Sequence, residues 1–266
     1  DWSYSLLAPT ERVVFDRLGV FAGDFDGAAA GAVVAGSGIE PWDVLDAVGS
    51  LVAKSMVTID DSAGGDARYR MLETLRAYAR ERLDEASESD QWRRRHAEHN
   101  ARLAECLGPQ LQGRDEFAAR RRLRAELDNT RAAVTWALDA DEPGAQELGV
   151  RIIVALGYQV TMHRRADIGA WAEHALRRVA VWEPGHRAAI LAAAAAGAIH
   201  RADHVNASIW VNEALAAGVQ VDAPVAGMAW VTHANLLLRT GRHEEALDVL
   251  AHTLAAFEAA GASSYD

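Results

Sequence analysis

The sequence predicts a mainly α-helical protein made of two unlike halves, and three observations carry that prediction. The first is a repeat: Trp171-Ala172-Glu173-His174-Ala175-Leu176 recurs 39 residues on as Trp210-Val211-Asn212-Glu213-Ala214-Leu215, and a weaker copy, Val249-Leu250-Ala251-His252-Thr253-Leu254, follows at the same interval. Equal spacing of a large apolar residue, a small one and a leucine suits stacked helical hairpins, because each hairpin buries its apolar face only against its neighbours. The second is helical periodicity in three short segments between Pro9 and Lys54. The third is a change of period: Met56-Val57-Thr58-Ile59 and Arg68-Tyr69-Arg70-Met71-Leu72 read as two strands around the flexible turn Asp60–Asp66. Three helices followed by a hairpin make a winged helix, and the repeats make a tetratricopeptide-like helical array. The predicted boundaries are 1–88 for the winged helix, 89–140 for a helical linker and 141–266 for the repeats.

Each element has its own signal. Pro9 sits just inside a helix start with Glu11 in the first turn, and Val13, Val14, Leu18 and Phe21 recur at helical spacing until Gly23. A small-residue helix runs from Asp26 to Ala35, closed by Gly36-Ser37-Gly38. The third starts near Pro41 and carries Val44, Leu45, Val48, Leu51 and Val52 on one broad face. A helix from Glu73 has Leu75, Tyr78, Ala79 and Leu83 in register, and two longer segments follow. The first, Gln91 to Cys106, is expected to stop at Gly108-Pro109, and the second runs unbroken from Arg114 to Ala140. Beyond Ala140–Gly144 the pattern is helical, with breaks at Glu183-Pro184-Gly185, Ala217-Gly218, Ala223-Pro224 and Thr240-Gly241. In the last pair Trp230, Ala234, Leu237, Gly241, Ala246, Leu250 and Leu254 have tetratricopeptide spacing, although 39 residues exceeds that repeat's usual length of about 34.

Composition narrows the function classes. With 266 residues and 50% hydrophobic content the chain can bury sizeable cores. A single cysteine, Cys106, excludes an internal disulfide framework and predicts a cytoplasmic setting. No stretch reaches the roughly 18 to 20 apolar residues of a membrane span; the longest is the alanine-rich Ala188–Ile199. A formal charge of −11 argues against a whole-molecule footprint for nucleic acid. A start at Asp1, inside sequence that already reads as folded, suggests a piece of a longer protein.

Few residues point to chemistry. A P-loop needs Gly-Lys-Ser/Thr, but Lys54, the only lysine, follows Ala53 at a helix end. Gly64-Gly65 is flanked by Asp60, Asp61 and Asp66 and reads as a wing turn, not a phosphate cradle. His96 with His99, and His200 with His204, have spacings that could face a metal, yet neither pair has a recognisable third ligand, so no metal site is expected. Arg93-Arg94-Arg95 and Arg120-Arg121-Arg122 with Arg124 could meet DNA phosphates or an acidic domain. Neighbouring Glu85, Glu88, Glu98, Asp115, Glu116 and Glu126 favour a solvated helix face. Asp43 and Asp46 give the third helix of the winged domain the wrong charge for a major groove. Trp171, Trp210 and Trp230 are candidates for packing between repeats or for an effector face. No enzymatic site is expected in this chain.

The stretch Arg68-Tyr69-Arg70-Met71-Leu72-Glu73-Thr74-Leu75-Arg76-Ala77-Tyr78-Ala79-Arg80-Glu81-Arg82-Leu83 resembles a signature of bacterial signal-transduction ATPases of the STAND class, closest to the large actinobacterial LuxR-type regulators. Trp2–Leu7 with Glu11 to Gly23, Leu51 to Val57, and Glu126-Leu127-Asp128-Asn129-Thr130-Arg131-Ala132-Ala133 to Leu138 are also similar to that family, over roughly residues 1 to 180. The resemblance implies a modular order of nucleotide-binding domain, winged helix, helical sensor and, often, a terminal DNA-binding domain, of which this chain holds the middle two. It implies ATP or ADP in the parent protein, with no cofactor in this chain. It also implies a contact of the winged helix with the nucleotide-binding domain of the same protein at Met71, Leu72, Glu73 and Arg76. Related members carry Met-His-Asp there, and leucine in place of the histidine cannot donate a hydrogen bond to phosphate. The implied partners are that domain, an effector or protein on the repeats, and DNA only through another domain. A DNA-binding winged-helix regulator with a helical sensing domain is the alternative.

Overall fold

A computed structural model describes residues 2–60, 67–218 and 223–259; the wing turn Asp61–Asp66 lies outside them. It is mainly helical with one small sheet, as predicted. In order, the elements are α1 (Trp2–Ser5), α2 (Pro9–Leu18), β1 (Phe25–Asp26), α3 (Gly27–Val34), α4 (Pro41–Ala53), β2 (Val57–Asp60), β3 (Arg68–Met71), α5 (Glu73–Glu85), α6 (Ser89–Gln110), α7 (Glu116–Ala125) and α8 (Leu127–Asp139). They continue with α9 (Ala145–Leu156), α10 (Tyr158–His163), α11 (Ala166–Arg178), α12 (Pro184–His200), α13 (His204–Gly218), α14 (Ala223–Arg239) and α15 (His243–Ala259). The chain divides into two compact units, residues 1–102 with 121–136, and residues 103–120 with 137–266. The segment expected as a linker contributes to both.

The first unit is the winged helix. Asp26 accepts from the Ala29 backbone N–H at 2.7 Å and starts α3. Gly36 and Gly38 take positive φ in the α3–α4 turn, which supplies the tight connection that a helix-turn-helix needs. The core gathers Phe15, Leu18, Phe25, Leu51 and Trp92, all fully buried. Arg17 is buried with them because its guanidinium lies 3.9 Å from the Trp92 ring centroid and donates to the carbonyls of Val34 and Gly36, each at 3.0 Å. The sheet has three strands rather than the expected two, in the order β1-β3-β2. β2 pairs antiparallel with β3, Val57 opposite Met71 and Asp60 opposite Arg68, and β1 adds Phe25 opposite Tyr69. A two-residue strand has too few positions for a period, so its pairing is visible only in three dimensions.

Several helix boundaries differ from expectation. Gly108-Pro109 does not stop α6, which continues to Gln110. Proline in a last turn forfeits one intrahelical bond, and Gly108 serves another end: a Cβ there would lie 2.8 Å from the Ala155 carbonyl oxygen, so glycine lets α9 approach. The segment Arg114–Ala140 is two helices, broken at Glu126, whose side chain is turned inward by buried polar partners. The breaks at Gly157 and at Arg164-Arg165, between α9, α10 and α11, escaped sequence reading because the apolar pattern runs on across them.

In the second unit α12 is the hub, packed against α9, α10, α11, α13 and α14. Its run from Ala188 to Ala196 is entirely buried, the small side chains letting neighbouring helices close in. The repeat register survives in the packing. Ala172 and Val211 are fully buried, and Leu176 and Leu215 pack on the cluster of Leu191, Ala192, Ala214 and Ala229. The third copy, Leu250 and Leu254, is exposed at 39% and 61%, since no described helix follows α15 to cover it. α11 and α12 touch backbone to backbone: a Cβ on Gly169 would lie 2.9 Å from the Gly197 Cα. Replacing Gly169 by valine is expected to cost about 2 kcal/mol or more through overpacking, read as a lower thermal midpoint.

Candidate functional site

The corner of the winged domain around β3 holds the best-formed site. Asn129 of α8 is buried, and its amide is saturated. Oδ1 accepts from the backbone N–H groups of Ala22 and Gly23 at 2.9 and 3.0 Å, while Nδ2 donates to the Asp24 carbonyl at 2.7 Å and to Glu126 at 3.1 Å. Arg68 of β3 donates to the Glu126 carboxylate, to the Asp24 carbonyl at 2.7 Å and to the Ala125 carbonyl at 3.2 Å. Loop 22–24, the wing and the α7–α8 corner are thus joined by one polar network of short, charge-assisted bonds.

Next to this network opens a cavity of about 540 Å³, lined by loop 21–25, by 70–73 and Arg76, and by Arg124, Ala125 and Asp128. All four residues expected to contact a nucleotide-binding domain, Met71, Leu72, Glu73 and Arg76, lie on it. Met71 is buried, and Leu72, which precedes α5, is exposed at 51%. Arg76 donates to the Ala22 carbonyl and pairs with Glu73, and its Nε is buried without a described partner. Arg70 pairs with Asp24 at 2.7 Å. Arg124 is exposed and pairs with no described residue. The charged side chains of the lining are the carboxylates Asp24, Glu73 and Asp128 and the guanidinium groups of Arg70, Arg76 and Arg124.

The other sequence candidates fall elsewhere. Trp171 is buried in α11, and Trp210 packs between the clusters formed by α12, α13 and α14. Trp230 sits edge-on to His252, ring centroids 5.0 Å apart. None of the three lines the cavity of the winged corner. His96 is buried beside Phe21 and Asn100. No cluster of three or more metal-ligating side chains occurs among the described residues. Within the basic runs, Arg94 pairs with Glu98 and Arg120 with Glu116, as the neighbouring carboxylates suggested. Arg95 instead holds the α3 C-terminus through the Ala32 and Ala35 carbonyls. On α4 the exposed side chains include Trp42 at 64%, Leu45 at 47% and Asp46, and Lys54, just beyond its end, is clamped by Glu11 at 2.5 and 2.6 Å. No described helix is long and apolar enough to cross a membrane.

Three helices, a tight turn and a three-stranded wing define a winged helix-turn-helix domain, and residues 7–84 match the family model of that description. Over 136 residues the chain is 43% identical to proteins of Mycobacterium tuberculosis and Mycobacterium bovis that are named as HTH-type transcriptional regulators. That match covers 51% of this chain but 15% of the relative, so the chain spans a small part of the proteins to which it is homologous. An uncharacterized M. tuberculosis protein is 39% identical over 99 residues, covering 37% of this chain and 25% of that protein. No solved structure matches.

Proposed function

We propose that this chain is the winged-helix and helical-repeat part of a transcriptional regulator of the signal-transduction ATPase class. Its winged helix packs on a nucleotide-binding domain outside the chain, and its repeats receive an effector or protein partner. ATP or ADP belongs to that other domain, DNA is bound through a further one, and the chain itself has no turnover and works in the cytoplasm. The observation that carries this reading is the character of α4. The helix that would enter a major groove presents Trp42, Leu45 and Asp46, and the lysine just beyond its end is neutralised. Such a face suits a protein surface rather than phosphates. Further support comes from the cavity that gathers Met71, Leu72, Glu73 and Arg76, with exposed Leu72 and unpaired Arg124 at hand for a partner. Effector binding would then act by differential contacts with closed and open states.

The expected result is that the purified chain gives no gel shift with duplex DNA even at low salt, yet is retained by the nucleotide-binding domain of its own protein. Leu72→Asp or Arg124→Glu should weaken that retention at least about tenfold, the scale of a buried apolar or charged contact. Salt-dependent duplex binding would instead support the second reading, a DNA-binding winged-helix regulator, which the match of residues 7–84 favours.

A further inference from the structure

The second unit contains a small cavity that none of the candidates above includes. It occupies about 190 Å³ between the end of α10, α12 and α14, and its polar lining is Thr161, Arg164, His200, Thr232, Asn235 and Arg239. No carboxylate lines it. Arg164 and Arg239 are exposed at its edge and form no ion pair or hydrogen bond with any described side chain. Arg164 takes the left-handed conformation, φ 54°, that closes the C-terminus of α10 and sets it at the edge of the cavity.

Inside the cavity Thr232 donates to the Met228 carbonyl at 2.8 Å, so in the Thr161–Thr232 pair, 3.4 Å apart, Thr161 is the donor. His200 Nδ1 is buried without a described partner. Burial, followed by the nearby positive charge of Arg164, Arg239 and Arg201, pushes the His200 imidazole below its ordinary range. These charges therefore converge on the same space.

We infer that this cavity is a binding site for a small anion bearing a carboxylate or phosphate group, clamped by Arg164 and Arg239 and hydrogen-bonded by His200 and Asn235. Guanidinium forks match both oxyanions and retain their charge at any working pH. The volume is below the roughly 300–1,000 Å³ of sites for drug-sized ligands, so it suits a metabolite of a few carbon atoms or a phosphate group. Read as the effector site, the cavity rests on the regulatory function proposed above; read as an anion site, it does not.

Titration calorimetry of the purified chain at low ionic strength, with inorganic phosphate and with succinate as separate probes, tests this. Saturable binding of either is expected, and the probe that binds tells the phosphate source from the carboxylate source. Arg164→Gln and Arg239→Gln should each weaken it at least about tenfold, the scale of a charged hydrogen bond. Both side chains are exposed, so the variants should keep the wild-type circular dichroism melt. The bound anion should raise the His200 pKa, seen by histidine NMR titration. No saturable binding, or binding that both variants leave unchanged, would overturn the site. Neither result depends on the gel-shift or domain-retention experiments, so the failure of one inference does not mimic failure of the other.

Discussion

Asn129→Ala is expected to be the most damaging single substitution in the winged domain, lowering its stability by about 3 kcal/mol. The side chain makes four hydrogen bonds from a buried position. Truncation leaves the N–H groups of Ala22 and Gly23, the Asp24 carbonyl and one oxygen of Glu126 short of a partner. Each such bond contributes about 0.5–1.5 kcal/mol net, and a buried group left unmade costs more than the mean. Asn129→Asp separates geometry from chemistry. It keeps both acceptor bonds but points an oxygen at the Asp24 carbonyl and at Glu126, so it should be at least as damaging at neutral pH and should recover as the carboxylates protonate. The measurement is amide hydrogen exchange in α2 and α5 under increasing urea. Protection equal to wild type in Asn129→Ala would mean that the network joins loop 22–24 to the α7–α8 corner without stabilising either.

The same network shows what sequence could and could not reveal. Local signals were legible: Pro9 and Pro41 open their helices, the change of period at Met56 marks the wing, and the 39-residue register predicts which faces of α11 and α13 are buried. Met71, Leu72, Glu73 and Arg76 are candidates by family resemblance alone, and the cavity that joins them to Arg124 and Asp128 appears only in the fold. Asn129 lay within a quoted resembling stretch, yet its partners are more than 100 residues away, and no periodicity encodes such a pairing. The grouping of Arg164, His200 and Arg239 is hidden for the same reason, because they come from the end of α10, from α12 and from α14, with nothing in common along the chain. The basic runs misled in one respect: Arg95 was read as surface charge, whereas it ends α3 and leans on Trp92.

Between pH 7 and 5 the response of the winged unit should be led by His96 and opposed by Asp16, with His99, also pushed down by burial, adding to the histidine side. His96 is buried, and desolvation first, then the charges of His99 and Arg80, depress its pKa from 6.5 to about 3. A depressed histidine stabilises the fold fully above its unfolded pKa and loses that contribution as pH falls from about 6.5 toward 3. Between pH 7 and 5 the loss is about 2 kcal/mol, on the scale of 1.36 kcal/mol per pKa unit. Asp16 acts with the other sign. Desolvation raises it from 3.8 to about 6, outweighing the bond it accepts from the Tyr4 hydroxyl at 2.8 Å. Its penalty, fully present above about pH 6, is relieved as pH falls toward 3.8. Partial exposure leaves this the smaller of the two effects. Wild type should therefore lose stability on balance between pH 7 and 5, and His96→Gln, which removes the titrating ring but keeps a polar group beside Asn100, should make that loss clearly smaller. Asp16→Asn should steepen the acid loss toward the full histidine value. Urea midpoints of the winged unit at pH 7, 6 and 5 would decide it, and parallel profiles for wild type and His96→Gln would remove buried His96 as the source of acid sensitivity.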